Sequence, residues 1–210
     1  MNNKDFADWV SLDTTKPIWP HFYTVAPLVI IGTKEFDHYD LAPKHMAMPI
    51  GHGNYFGFVC TPKHATYHNI KREEEFAVSF PKADQLVYAS LAASPRQCDT
   101  DEHKPIIESL PTQKANSIDA PLIQDSYLFL ECRLDRIIDG FDEYSIITGC
   151  IVDAYVHKNA YRISDGDDEK MIAEMPMLAY LAYDRFAEVS DTKSFPYPRG
   201  FSMDFSDSKK

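Results

Sequence analysis

The residues best suited to chemistry lie between Thr61 and Pro81, in "TPKHATYHNIKREEEFAVSFP". Pro62 ends the apolar run "YFGFVC", Thr66 reads as the N-cap of a short helix over "YHNIKREEE", and a second apolar run follows. A helix that starts where a strand ends offers free backbone N–H groups and the positive end of its dipole. With the Thr66 hydroxyl, the Asn69 amide and Lys63 close by, that corner suits a phosphate. The same letters also fit a plain capped helix with a solvated, internally paired "KREEE" face.

His45, His52, His64 and His68 fall in the same region, at separations that match no usual ligand spacing, so hydrogen bonding or solvent-facing positions are the expected roles and no metal is expected. Cys60 ends the apolar run and reads as a buried thiol or, less commonly, a redox one. "GHGN" lacks the third glycine and the strand-to-helix setting of a dinucleotide fingerprint.

These residues need a frame, and its elements read mainly as strands. "FYTVAPLVIIGT", "NYFGFVC", "FAVSFP", "SYLFLECRLDRII", "YSIITGCIVDAYVH" and "AYRI" are rich in Val, Ile, Tyr and Phe and bounded by Pro, Gly, Asp and Asn. In "LFLECRLDRI", Leu128, Leu130, Cys132 and Leu134 alternate with Phe129, Glu131, Arg133 and Asp135, so the first set faces a core. Helices are expected from Thr66 to Glu75, around Asp84 to Ala93, over "DEHKPIIESL", and over "EKMIAEMPMLAYLAYDRFAEV" with a break near Pro176. The fold class is therefore mainly β with peripheral helices, and a barrel is the expected arrangement.

The chain has 210 residues, 44% hydrophobic, enough for one sizeable core. A net charge of -11 excludes a general binder of nucleic acid or anionic membrane, which needs clustered Lys and Arg. Four separated cysteines make neither a zinc framework nor a disulfide scaffold. No run reaches the roughly 20 apolar residues of a membrane span, and "MNNKDFADWV" lacks the features of a secretory signal, so a cytoplasmic location is expected.

The run "DLAPKHMAMPIGHGNYFGFVCTPKHATYHNIKREEEFAVSFP" resembles the flavin reductase-like family, whose fold is the FMN-binding split barrel. It carries an Ala-Pro dipeptide, a Pro-containing loop, a hydrophobic strand, Thr-x-x-Asn-Ile and a short helix leading into Glu-Phe-x-Val-x-x-Pro. "APLIQDSYLFLECRL" and "YSIITGCIVDAYVHKNAY" continue the likeness in the same order. It extends from about Pro20 to Gly200, with residues 1–19 and 201–210 as an extension and a polar tail.

The resemblance implies FMN bound at a homodimer interface, with NADH or NADPH as electron donor. The flavin would lie along Lys44, His45, Met46 and Ala47, with Thr66 and Asn69 near the ribityl phosphate and Thr61 close by. Lys104 matches the family's flavin-reaching lysine, although beside Asp101 and Glu102 it also reads as a surface lysine. Phe186, with Tyr183 second, matches an aromatic that closes the site in some members. Met46 and Met48 equally fit the use of methionine as adaptable filler. "KHMAM" is bulkier and more basic than the family's usual loop, and "GFDEYS" stands where some members place a histidine. The implied activity is hydride transfer from nicotinamide to FMN and on to a flavin, a partner monooxygenase or another small acceptor. A flavin-binding carrier or sensor without nicotinamide turnover is the alternative, as is a split barrel that has lost its flavin and binds another ligand.

Overall fold

The structure is a computed structural model and describes residues 8–96, 104–162, 168–182, 185–196 and 198. Its strands in chain order are β1 (Ala26–Pro27), β2 (Val29–Glu35), β3 (His38–Lys44), β4 (Ala47–Pro49), β5 (Tyr55–Cys60) and β6 (Glu75–Phe80). They continue as β7 (Thr112–Lys114), β8 (Pro121–Ile123), β9 (Leu128–Phe141), β10 (Tyr144–Val156), β11 (Met177–Ala182) and β12 (Arg185–Val189). Among the described residues three α-helices, α1 (Ala65–Glu73), α2 (Leu86–Ala92) and α3 (Asp168–Glu174), lie among them.

One seven-stranded sheet, ordered β3-β2-β6-β9-β10-β5-β4, forms the frame. Its two edge strands, β3 and β4, are consecutive in sequence and separated only by His45 and Met46. The three peptide steps from Lys44 to Ala47 span at most about 11 Å even when extended, so the sheet must curl to bring its opposite edges together. The mainly β, split-barrel expectation therefore holds, and the seam of the barrel lies at Lys44–Ala47.

The inside of the curl is filled by Val29, Ile31, Phe56, Phe58, Phe76, Val78, Cys132 and Ile147. Tyr67 and Ile70, three apart on α1, drop into the same core and hold the helix across it. Leu28, Ile30 and Leu41 point the other way and pack under α2, Ile107, Leu110 and Leu178, so β2 is buried on both faces. Two glycines make close packing possible. A Cβ on Gly149 would sit 2.6 Å from the Phe76 ring, and one on Gly32 would sit 2.0 Å from the Pro121 carbonyl oxygen.

The alternation in β9 gives the inward face correctly, since Leu128, Leu130, Cys132 and Leu134 all pack on the inner core. Glu131, on the opposite face, is also fully buried. Its carboxylate accepts hydrogen bonds from the backbone N–H groups of Asn116 (2.8 Å) and Ser117 (2.6 Å), which is how a charge is retained there.

Three expectations are corrected, and one strand without a sequence expectation is added. The long helix through residues 169–189 ends after α3, and the remainder pairs as the antiparallel β11 and β12, with β1 completing a small sheet. "AYRI" is no strand: a short turn of 3-10 helix, Lys158–Ala160, runs into irregular chain, and Ile163 lies outside the described residues. "HYDLAPK" forms the edge strand β3, so the Ala-Pro dipeptide lies within a strand. The helix expected over "DEHKPIIESL" reduces to a 3-10 turn at Pro105–Ser109, with residues 101–103 outside the description. Among the described residues no helix is long and apolar enough to cross a membrane.

Candidate functional site

The seam brings three segments together: the end of β3, the link to β4, and the turn from β5 into α1. Lys44, the last residue of β3, is only 9% exposed. Its Nζ atom lies 3.4 Å from Nδ1 of His64, its one hydrogen-bonding neighbour among the described side-chain nitrogens and oxygens. The Cys60 thiol adjoins the same ammonium, whose pull is outweighed by burial, so that the thiol is pushed above its ordinary value. Cys60 is accordingly a buried, protonated thiol at neutral pH.

The N-cap of α1 is His64, not Thr66. The chain turns one residue pair earlier than expected because Thr61 closes it: the Thr61 carbonyl accepts from His64 N–H at 3.0 Å, and its hydroxyl accepts from Lys63 N–H at 3.3 Å. Thr66 therefore sits inside the first turn. It is 2% exposed, and its hydroxyl has no hydrogen-bond partner among the described residues. The first N–H groups of the nine-residue α1, at Ala65 and Thr66, likewise find no carbonyl there.

Asn69 turns the other way. Its amide donates to Thr33 Oγ1 at 3.1 Å and accepts from Arg72 at 3.1 Å, which fixes α1 on β2. Lys63 extends outward and pairs with Glu143 in the turn between β9 and β10, the "GFDEYS" segment. Neither of these side chains reaches into the corner with its full donor set.

Lys104 is also committed. Its ammonium donates to the carbonyls of Leu41 (3.2 Å) and Ala92 (3.1 Å) and lies 3.2 Å from Asp40 Oδ1. It thus satisfies an open carbonyl on the edge strand β3 and the C-terminal end of α2, where a cation is favoured. The surface position considered for it does not hold: the side chain is 14% exposed.

Along the other arm of the seam, His45 packs its ring against Tyr180 of β11, with centroids 4.5 Å apart and planes inclined by 32°. Desolvation, and then the Lys44 charge, hold His45 below its ordinary value, so it is neutral at neutral pH. Ala47 is buried in the inner core, whereas Met46 is 53% exposed beside it and Met48 is exposed on the same short edge strand. Phe186 lies directly across from Tyr180 in the β11–β12 pair, and residues opposed in this way project to one face. Phe186 is 49% exposed. Tyr183 lies outside the described residues.

The structure thus groups Lys44, Thr61 and Thr66 at the start of α1, and His45, Met46, Tyr180 and Phe186 along a half-exposed apolar flank. Asn69, Ala47 and Lys104 belong to the packing around them. Two participants carry no signal in the sequence: His64 as the partner of Lys44, and Tyr180, whose residue neighbours read as helix. His64 is held below its ordinary value by partial desolvation first, then by Lys44 and Lys104, with Asp40 opposing. An unpartnered hydroxyl, two unpaired N–H groups and a poorly satisfied ammonium make a corner short of acceptors. Its donors fit a phosphate, and the neighbouring flank fits a flat ring.

Residues 23–182 match the flavin reductase like domain. An uncharacterized protein of Methanothermobacter thermautotrophicus is 28% identical over 183 residues, covering 81% of this chain and 83% of its own. Among solved structures, the FMN-binding protein of Thermus thermophilus superposes with a TM-score of 0.71 at 15% identity, covering 89% of this chain and 99% of that one. The nitrilotriacetate monooxygenase component B of Bacillus cereus gives a TM-score of 0.72 at 14% identity, covering 89% and 98%. With a single domain match spanning the barrel, its seam and β11, the chain belongs to the flavin reductase-like family.

Proposed function

We propose that this chain is an FMN-binding oxidoreductase that takes hydride from NADH or NADPH and passes electrons to a flavin, a small acceptor or a partner monooxygenase. The observation that carries the reading is the start of α1, where the Thr66 hydroxyl and the N–H groups of Ala65 and Thr66 have no partner among the described residues and the Lys44 ammonium contacts the N-cap residue His64. Donors that have no acceptor in the protein are open to a ligand that supplies one. A phosphate does so, and the helix dipole adds to its binding.

When bound, a flavin supplies two-electron chemistry at its ring system. The share of this chain is binding and orientation. Thr66 donates to the phosphate, Lys44 neutralises part of its charge, and the flank of His45, Met46 and Tyr180 offers an apolar wall that excludes water on one side. A neutral His45 at that wall adds no charge to compete with the ring. Positioning of this kind needs no acid, base or nucleophile among the side chains.

The family supports the flavin, and the nitrilotriacetate monooxygenase component B supports a partner monooxygenase as the electron acceptor. The open edges at the seam support a homodimer that covers them.

The test is the visible spectrum of the purified protein with FMN, recorded anaerobically before and after NADH and then NADPH. Bound flavin absorption that is lost with either nicotinamide is the expected result. Bound flavin that stays oxidised with both would make the protein a carrier or sensor, and failure to bind FMN would overturn the reading altogether.

A further inference from the structure

We propose that Lys44 and His64 make the corner at the start of α1 selective for a terminal phosphate dianion, bound with uptake of one proton by His64. A flavin carrying a phosphomonoester is then held in preference to one carrying a phosphodiester or no phosphate. This rests on the FMN reading above and sets the specificity of the same site.

The geometry supplies the reason. A lysine ammonium has donors only, so the 3.4 Å contact requires His64 to present an unprotonated Nδ1. Protonating His64 places a second donor opposite the first. Two facing cations repel, and an oxyanion that bridges them removes the repulsion, next to an α1 start whose first N–H groups have no carbonyl partner among the described residues.

Charge counting gives the same answer. With His64 neutral, the charges that act on it are Lys44, Lys104 and one carboxylate, Asp40, one excess positive charge. A proton on His64 raises the excess to two, which matches a phosphomonoester dianion. A phosphodiester carries a single charge on each phosphate, one short of that excess.

Among the described residues, the other titratable groups near His64 are engaged or neutral. Lys63 is paired with Glu143, the His68 Nε2 atom is engaged with the Pro62 carbonyl at 2.6 Å, and Cys60 is a neutral thiol. His64 itself keeps solvent access, so a ligand can reach it. Its neutrality in the free protein follows from its desolvated inner edge and the two lysines. An entering dianion reverses the sign of that local field and draws the proton in.

Calorimetric titration of the intact protein with FMN, repeated in buffers of different ionisation enthalpy, counts the protons. Near pH 7.5 the expected result is net uptake approaching one proton, and an affinity that falls as pH rises from about 7 to about 8.5, by at most roughly tenfold per unit. Below about pH 6 the ligand's own phosphate protonates and the trend flattens. His64→Gln, which keeps an amide acceptor for Lys44, should bind FMN without proton uptake. FAD and riboflavin should bind more weakly than FMN to the wild type, and the gap should narrow in Lys44→Met.

FMN binding with no proton exchange in the wild type, or with the same uptake in His64→Gln, would overturn the inference while leaving the flavin reading intact. Equal affinity for FMN and FAD would overturn the selectivity. No FMN binding at all would instead sink the proposed function.

Discussion

Lys44 Nζ stands 3.4 Å from His64 Nδ1, joining the last residue of an edge strand to the N-cap of α1 across the seam of the barrel. Because the ammonium can only donate, this contact fixes the neutral imidazole in the tautomer with its proton on Nε2. The proton is thereby aimed away from the buried lysine. Nitrogen-detected spectra of histidine-labelled protein without ligand should show an unprotonated Nδ1 for His64, and Lys44→Met should return the ring to an ordinary mixture of tautomers. A protonated Nδ1 in the wild type would remove this link from the seam.

The two arms of the site should respond differently to substitution. Thr66→Val keeps the shape of a nearly buried side chain and deletes one donor to the phosphate. A hydrogen bond to a charged group contributes about 1.5–3 kcal/mol, so FMN affinity should fall roughly ten- to hundredfold, while riboflavin affinity barely changes. Tyr180→Ala removes the ring that supports His45 at 4.5 Å. It should weaken FMN and riboflavin together, by about 0.5–1.5 kcal/mol if the aromatic contact is what is lost. Fluorescence titrations with both ligands separate the two patterns, and a Thr66→Val effect shared equally by riboflavin would contradict the phosphate assignment.

Such a site is only partly legible in the sequence. The inward face of β9 can be read because Leu128, Leu130, Cys132 and Leu134 repeat with period two, and the start of α1 can be read because Pro62 must stop a strand. Which residue caps α1 depends on the turn made by the Thr61 carbonyl and hydroxyl, and a cap shifted by two residues leaves the local composition unchanged. β11 and β12 were hidden by helix-forming residues such as Met177, Leu178 and Ala179, whose pairing partner overrides their preference. β3 was hidden by Asp40 and Pro43. Both are acceptable there because β3 is an edge strand, pairing only with β2, and because Lys104 answers the Asp40 charge. The Lys44–His64 pair and the Tyr180–His45 stack join residues far apart in the chain, and they exist only once the sheet curls.

Lys104 gives a prediction about stability rather than binding. Its N–H groups are directed at the Leu41 and Ala92 carbonyls, so the Asp40 oxygen at 3.2 Å is held by charge and has no hydrogen bond of its own. Lys104→Met strands that buried carboxylate together with two carbonyls. Breaking a buried pair from one side costs about 3–5 kcal/mol, and urea unfolding should register a loss of that order. Asp40→Asn in the Lys104→Met background removes the unpaired charge and should recover part of it. A loss below about 1 kcal/mol, the scale of an exposed pair, would mean that Lys104 is not a pin of the fold.

The last prediction concerns acid. Asp119 accepts from Lys34 Nζ at 2.6 Å and from Tyr39 OH at 2.7 Å, with Lys114 at 3.2 Å, and so ties the loop between β7 and β8 to β2 and β3. The Lys34 hydrogen bond first, and then that of Tyr39, hold the carboxyl well below the usual carboxylate range. A group with a depressed folded pKa adds stability above its unfolded value of about 3.9, and that contribution is lost as pH falls through the folded value. Asp119→Asn should therefore be less stable than wild type near neutrality, and the two stability curves should converge below about pH 4. The carboxylate is 37% exposed, so the difference should be modest and should shrink in high salt. Urea midpoints for both proteins across that pH range decide the matter, because parallel curves would mean that the cluster contributes nothing linked to the Asp119 proton.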